Sequence, residues 1–162
     1  MPNNNELTRF LDAQNQGYLK AISEIKKGKK NTHWMWYIFP QIKGLGSSET
    51  ANYYAIKDLN EATAYLMHPV LGKHLIEISK EVLTLKGKTA SQIFGTPDDK
   101  KLRSCMTLFA TAENADPVFI KVLEKYFNGV QDELTLNLMA RAGRVLHRQV
   151  FQFKATVYLP SF

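Results

Sequence analysis

The sequence predicts an all-α, single-domain multi-helix bundle of about seven or eight helices, with a C-terminal segment that is either a short strand or irregular as its one exception. Apolar residues recur at helical spacing over most of the chain, most clearly Leu71, Leu75, Ile78, Val82 and Leu85, at intervals of 4, 3, 4 and 3. Cap, proline and glycine signals punctuate these runs at short intervals. Strand period is absent until Phe151, from which Phe151, Phe153, Ala155, Val157 and Leu159 alternate with polar or aromatic residues. A length of 162 residues suits one domain with a real core, and no linker or repeat divides residues 1–162. The segment 141–162 stands out only as an atypical tail.

In order, residues 1–5 read as an unstructured lead-in. Leu7, Phe10, Leu11 and Gln14 form one helix face, and Tyr18, Ala21, Ile22 and Ile25 a second. Gly17 lies between them, so one kinked helix and two separate helices are both open. Gly28 is the expected stop, within the cluster Lys26, Lys27, Lys29 and Lys30. That cluster reads either as a helix C-terminus suited to its dipole or as a phosphate-facing patch. His33 to Phe39 reads as a short helix halted by Pro40 or as a buried extended segment. Gln41 to Ser47 is a loop, and Ser48 caps the helix that follows.

Asp58 and Glu61 open the next helix as a capping box, and His68-Pro69 ends it. The Leu71–Leu85 helix follows, stopped by Gly87. Thr89 and Gln92 predict a second capping box for a short helix ending at Gly95. Thr96-Pro97-Asp98-Asp99 predicts a cap, a proline at the first helical position and acids in the first turn. Asp116-Pro117 repeats that signal, Gly129 closes its helix, and Asp132 opens the last one.

The net charge of +6 favours anionic partners only modestly. One cysteine, Cys105, excludes an internal disulfide and fits a reducing, cytoplasmic setting; its place on an apolar face predicts a buried, inert thiol. No apolar run is long enough to span a membrane. No His, Cys, Asp and Glu set has metal spacing, so neither a metal nor a cofactor is expected.

The densest stretch in costly side chains is Thr32 to Ser48. Gly44 and Gly46 let backbone approach a ligand, Ser48 and nearby N–H groups offer anion contacts, Trp34 and Trp36 offer a flat wall, and Gln41 a directional amide. The competing reading makes the glycines a tight turn and at least one Trp core. Positions 34 and 36 share a face only in an extended segment. A second polar cluster, Asp98, Lys100, Lys101, Arg103 and Ser104, is either a solvated face or a phosphate-reaching one. His33, Glu49 and Asp98 are the acid–base candidates, with a local hydrogen-bonding role as the alternative for His33. His68 is a further acid–base candidate, with a substitute N-cap as its alternative role, and His74 reads as solvent-facing.

The motifs HWMW, IFPQIKGLG, YLMHPVLG and IFGTPDDKKLRSCMTLF, in this order, resemble those of the bacterial family known as domain of unknown function 1810. The likeness runs from about Leu7 to Leu138, near which that family usually ends; the tail from Arg141 departs from it. It implies a mostly α-helical single domain and no established reaction. Some members carry the label calpastatin, which nothing in these residues supports. A more distant likeness is to the NADAR proteins, which act on ADP-ribose derivatives. It implies glycosidic hydrolysis as the first reaction to test.

The resulting expectation is a pocket for an anionic, nucleotide-like or ADP-ribose-like molecule between residues 33–48 and 95–107. Its alternatives are a non-enzymatic module that binds nucleic acid through Lys26–Lys30 and Arg141, Arg144 and Arg148, and a protein-interaction module that uses its tail strand.

Overall fold

A computed structural model describes residues 4–156, with side chains described over 6–144. Nine helices are present among the described residues: α1 (Asn4–Lys26), α2 (Met35–Ile38), α3 (Glu49–Tyr53), α4 (Leu59–Met67), α5 (Leu71–Thr84), α6 (Ala90–Phe94), α7 (Asp98–Ala110), α8 (Val118–Phe127) and α9 (Glu133–Thr156). The all-α expectation therefore holds, and the family-like region is one helical array.

The core is built from the faces that periodicity marks. Leu71, Leu75, Ile78 and Val82 of α5 are all buried, and α5 lies against α1, α4 and α8. Burying each such side chain contributes about 1.5–3 kcal/mol. Helix α7 buries Leu102, Cys105, Met106, Leu108 and Phe109 and packs on α8, α6, α4 and α9, so it is the central helix. Burial pushes the Cys105 thiol well above its usual range, as suits an inert core cysteine.

Helix α1 is one continuous helix through Gly17. A Cβ at Gly17 would lie 2.3 Å from the Tyr37 hydroxyl, so the glycine exists to let the Tyr37 ring lie on the helix. The helix stops at Gly28 as expected. Gly28 adopts φ +82°, its N–H donates to Ile25 O (2.8 Å), and the Lys29 N–H donates to Glu24 O (3.2 Å). This is a Schellman ending, and Lys88 Nζ closes it by donating to Gly28 O (2.9 Å). The Thr89–Gln92 capping box is present in both directions. His68 Nδ1 accepts from Val70 N (3.1 Å) and Leu71 N (3.3 Å), so the imidazole does substitute for a cap at the start of α5.

Four expectations need correction. Thr96 does not cap α7: Thr96–Pro97 is cis, Pro97 occupies the cap position, and the helix starts at Asp98. Asp58 caps α4 through Glu61 N (2.9 Å), but the Glu61 side chain turns to Lys57 N (3.2 Å) and Arg9 (2.7 Å), leaving the capping box half formed. His74 does not face solvent; it is half-buried and stacked on Tyr18 at 3.6 Å. The C-terminal strand is not formed over 151–156, because α9 continues through Thr156. A lone strand would leave its backbone polar groups unpaired, whereas a helix pairs them within the segment. Leu146, Val150 and Phe153 also recur at four and three residues. Val157 to Leu159 lie outside the described residues.

Candidate functional site

The aromatic stretch is fixed from beneath by one carboxylate. Glu24, buried near the end of α1, accepts from Asn31 N (2.5 Å), Thr32 N (2.8 Å), Thr32 Oγ1 (2.6 Å) and Trp34 Nε1 (3.2 Å). Burial pushes its carboxyl upward, but these donors together outweigh burial and hold it below the usual carboxylate value. Trp34 is consequently core. It is 1% exposed, and its ring packs near Phe39 and Phe94. It cannot serve as the ligand-facing wall that sequence predicts. The short helix α2 follows, and its partly exposed Trp36 and Tyr37 border two different depressions.

Residues 43–55 form a surface loop tied off at its base. Ile42 and Ile56, both buried, make an isolated parallel bridge in which Ile56 N donates to Gln41 O and Lys43 N to Ile56 O, each at 2.8 Å. None of residues 43–55 is buried. Within the loop Ser48 caps α3 by accepting from Ala51 N (3.1 Å), as expected. Gly44 takes φ +106°, and a Cβ there would lie 3.1 Å from Leu138; Gly46 instead makes room for Ala51, whose Cβ would be 2.5 Å away. Both glycines thus serve close packing, the tight-turn alternative. Glu49 is exposed in the first turn of α3.

Three depressions surround this loop. The first is the expected place, where 33–48 meets 95–107. Trp36, Gln41, Gly46 and Lys101 do come together there, with Lys101 Nζ 5.0 Å from the Trp36 ring centre. The crevice holds only about 10 Å³ of free space, enough for about one water and far too little for a nucleotide. Its charges are also engaged: Asp98 pairs with Lys30 (2.9 Å) and Lys101 (3.4 Å). Lys30 is thereby removed from the lysine patch as well.

Arg103 and Ser104 face elsewhere. Arg103 Nη2 lies 3.5 Å from Asp132, and Ser104 Oγ donates to the same carboxylate (3.2 Å). Asp132 accepts from Thr135 N (3.1 Å), capping α9, while its own N–H donates to Thr107 Oγ1 (2.9 Å). Two residues expected at a ligand therefore join α7 to α9.

The second depression is an open cleft of about 530 Å³ between α1 and residues 32–54. Tyr37 and Tyr54 wall it, their rings 5.6 Å apart. Asp12, Gln16 and Lys20 of α1 and the exposed His33 line it, and Gly17, which also lines it, seats the Tyr37 ring against the helix. Burial raises both phenols above the usual tyrosine value; Tyr54 and then Glu24 add to the shift of Tyr37, and Tyr53 and then Asp12 to that of Tyr54. Behind the wall, buried Gln14 donates from Nε2 to Tyr37 O (2.7 Å) and to the Tyr65 hydroxyl (2.9 Å), and its Oε1 faces His74 Nδ1 at 2.8 Å. Because the Gln14 amide N–H groups are spent, its oxygen requires the proton on His74 Nδ1. Burial lowers the His74 pKa, which favours the neutral imidazole; Lys73 adds to this and Glu77 opposes it.

The third depression, about 480 Å³, lies across Asp12 from the second. Arg9 crosses its floor, donating to Ala55 O (2.9 Å) and to buried Glu61 (2.7 Å).

Of the expected site residues, His33 and the buried Trp34 border the second of these clefts, and none borders the third. Sequence reading missed Asp12, Gln16, Lys20, Tyr37 and Tyr54. Two signals pointed there: a glycine inside an amphipathic helix, and a glutamine, Gln14, on its apolar face. In the alternative basic surface, Lys26, Lys27, Lys29, Arg141 and Arg144 are exposed; the Arg148 side chain lies outside the described ones. No helix among the described residues is long and apolar enough to cross a membrane.

Residues 4–139 match the family described as "Protein of unknown function (DUF1810)". The chain is also similar to a crystal structure of the conserved hypothetical protein Rv1873 from Mycobacterium tuberculosis. That likeness is 46% identical, covers 83% of this chain and 96% of that one, and has a TM-score of 0.82. No curated protein matches the chain.

Proposed function

The chain belongs to the DUF1810 family of unknown function, and on that footing we propose that it binds an anionic, nucleotide-like small molecule in the cleft between α1 and residues 32–54. One observation carries this reading: an open volume of about 530 Å³ walled by Tyr37 and Tyr54, with the Tyr37 ring seated against α1 at Gly17. That volume suits a ligand of nucleotide size, and the walls suit a flat ring. Around it stand an amide (Gln16), an ammonium (Lys20), a carboxylate (Asp12) and an imidazole (His33). The site thus moves from the crevice at Trp36 and Lys101 to the opposite side of Tyr54.

Glycosidic hydrolysis of an ADP-ribose-like ligand is the reaction to test there. Of the three expected acid–base groups, His33 alone lines this cleft, and Asp12 is the carboxylate beside it. One would protonate the leaving group and the other activate water. Glu49 and Asp98 have no part in this reading.

The test is thermal melting against ADP-ribose, NAD, mononucleotides and sugar phosphates. A ligand at about 100 times its Kd that binds only the folded state adds about 2.7 kcal/mol. The reading expects a saturable shift with at least one compound, lost in Tyr54→Ala and kept in Arg103→Ala. No shift with any compound, or a shift that Tyr54→Ala leaves intact, would overturn it. For catalysis, hydrolysis that survives both Asp12→Asn and His33→Ala would remove those roles.

A further inference from the structure

Resting on the cleft reading above, we propose that the hollow across Asp12 is the phosphate end of the same site. The ligand is then a nucleoside phosphate lying along α1, its base at Tyr37 and Tyr54 and its phosphates at Lys43 and Lys57.

The geometry of α1 supplies the track. Arg9, Asp12, Gln16 and Lys20 follow at intervals of 3, 4 and 4, so they form one stripe on the helix. At 1.5 Å per residue the stripe runs about 16 Å, the length scale of an extended nucleoside diphosphate. The two hollows, about 530 and 480 Å³, open along this stripe and share Asp12. On the facing side Tyr54 borders the first and Tyr53 the second, their rings 4.8 Å apart and nearly perpendicular.

The chemistry changes in a fixed order along the track. The first hollow has two tyrosine walls. At the boundary Asp12 presents a carboxylate, an acceptor for sugar hydroxyls that repels a phosphate placed at the same point. The second hollow brings Lys43 and Lys57, both exposed and neither in an ion pair among the described residues. Its buried acid, Glu61, is already neutralised by Arg9 at 2.7 Å. The acid left facing these lysines, apart from Asp12, is Glu6 at the outer rim. Flat wall, hydroxyl acceptor and paired ammonium groups follow the order base, sugar and phosphate.

Among the described residues Lys20 is the one lysine or arginine that lines the opposite end. A ligand lying the other way would place its phosphate there and ignore Lys43 and Lys57, which makes the orientation testable.

Isothermal titration of the full chain would compare four ribonucleosides with their 5′-diphosphates. The proteins are wild type, the double variant Lys43→Ala/Lys57→Ala, and Lys20→Ala. Exposed lysines are chosen so that the fold persists, checked by circular dichroism and melting. We expect one diphosphate to bind at least tenfold tighter than its nucleoside. The double variant should erase that gain while nucleoside affinity stays within about twofold. Lys20→Ala should preserve the gain, and raised salt should weaken only the diphosphate. Equal binding of nucleoside and diphosphate, or a gain erased by Lys20→Ala and kept in the double variant, would overturn the phosphate end while leaving the tyrosine cleft standing. Binding of neither class to wild type would overturn both.

Discussion

Helix α7 and helix α1 carry polar faces of nearly the same composition and use them in opposite ways. On α7, Asp98, Lys101, Arg103 and Ser104 are consumed inside the fold. Asp98 holds Lys30 and Lys101, and Asp132 gathers Arg103 and Ser104. On α1, Arg9 is spent on Glu61, but Asp12, Gln16 and Lys20 face open volume beside two tyrosines. Residue type is common to both faces. Space, and the lack among the described residues of an ion-pair partner for Asp12 and Lys20, distinguish them, and both are set by what tertiary packing brings opposite each helix.

The largest expected effect lies behind the α1 cleft. Gln14→Leu strips partners from Tyr37 O, the Tyr65 hydroxyl and His74 Nδ1 at once. At about 1–3 kcal/mol for each buried group left unpaired, urea unfolding should show a loss of 3 kcal/mol or more. A loss below about 1 kcal/mol would mean that the network does not hold the wall.

On the α7 side, Asp132→Ala removes the α9 cap and the partner of Arg103 and Ser104. The expected cost is about 2 kcal/mol, read from the same unfolding curves. Ligand binding in the cleft should not change, and a lost ligand shift at ordinary stability would return α7 to the site.

Acid titration tests the shelf beneath both regions. The folded Glu24 carboxyl sits below its ordinary value, so its contribution is present above the unfolded pKa and is lost as pH falls through the folded one. Glu24→Gln should therefore flatten the acid limb of stability below about pH 4.5. An unchanged limb would contradict the donor set around this carboxylate.

Gly17→Ala should change stability by less than about 1 kcal/mol, because better helix propensity offsets displacement of a ring tip. Ligand affinity should fall at least tenfold as the Tyr37 ring is pushed aside. The smallest effect is expected of Lys101→Ala, under about 1 kcal/mol on stability and none on binding.

Much of the fold was legible because its signals are local. The α5 stripe, the Thr89–Gln92 box and the Gly28 stop depend on neighbours within four residues. The tail misled because alternation and helical spacing coexist there, and an unpartnered strand loses to a helix that pairs its own backbone. The site was harder to read for a physical reason. Trp34 looks like a wall until Glu24, ten residues earlier, takes its indole N–H. Arg103 and Ser104 look like anion contacts until Asp132 arrives from another helix. The α1 stripe looks like any solvated face until residues 32–54 fold over it.

Amide chemical-shift mapping tests the central claim most directly. The labelled chain would be titrated with the nucleotide giving the largest melting shift, or with ADP if none does. The account predicts saturable changes at Gln16, Gly17, Lys20, Thr32, His33 and Tyr54, with Arg103, Ser104 and Asp132 still. Changes centred on Trp36 and Lys101 or on the α7–α9 joint, or no saturable change anywhere, would contradict it.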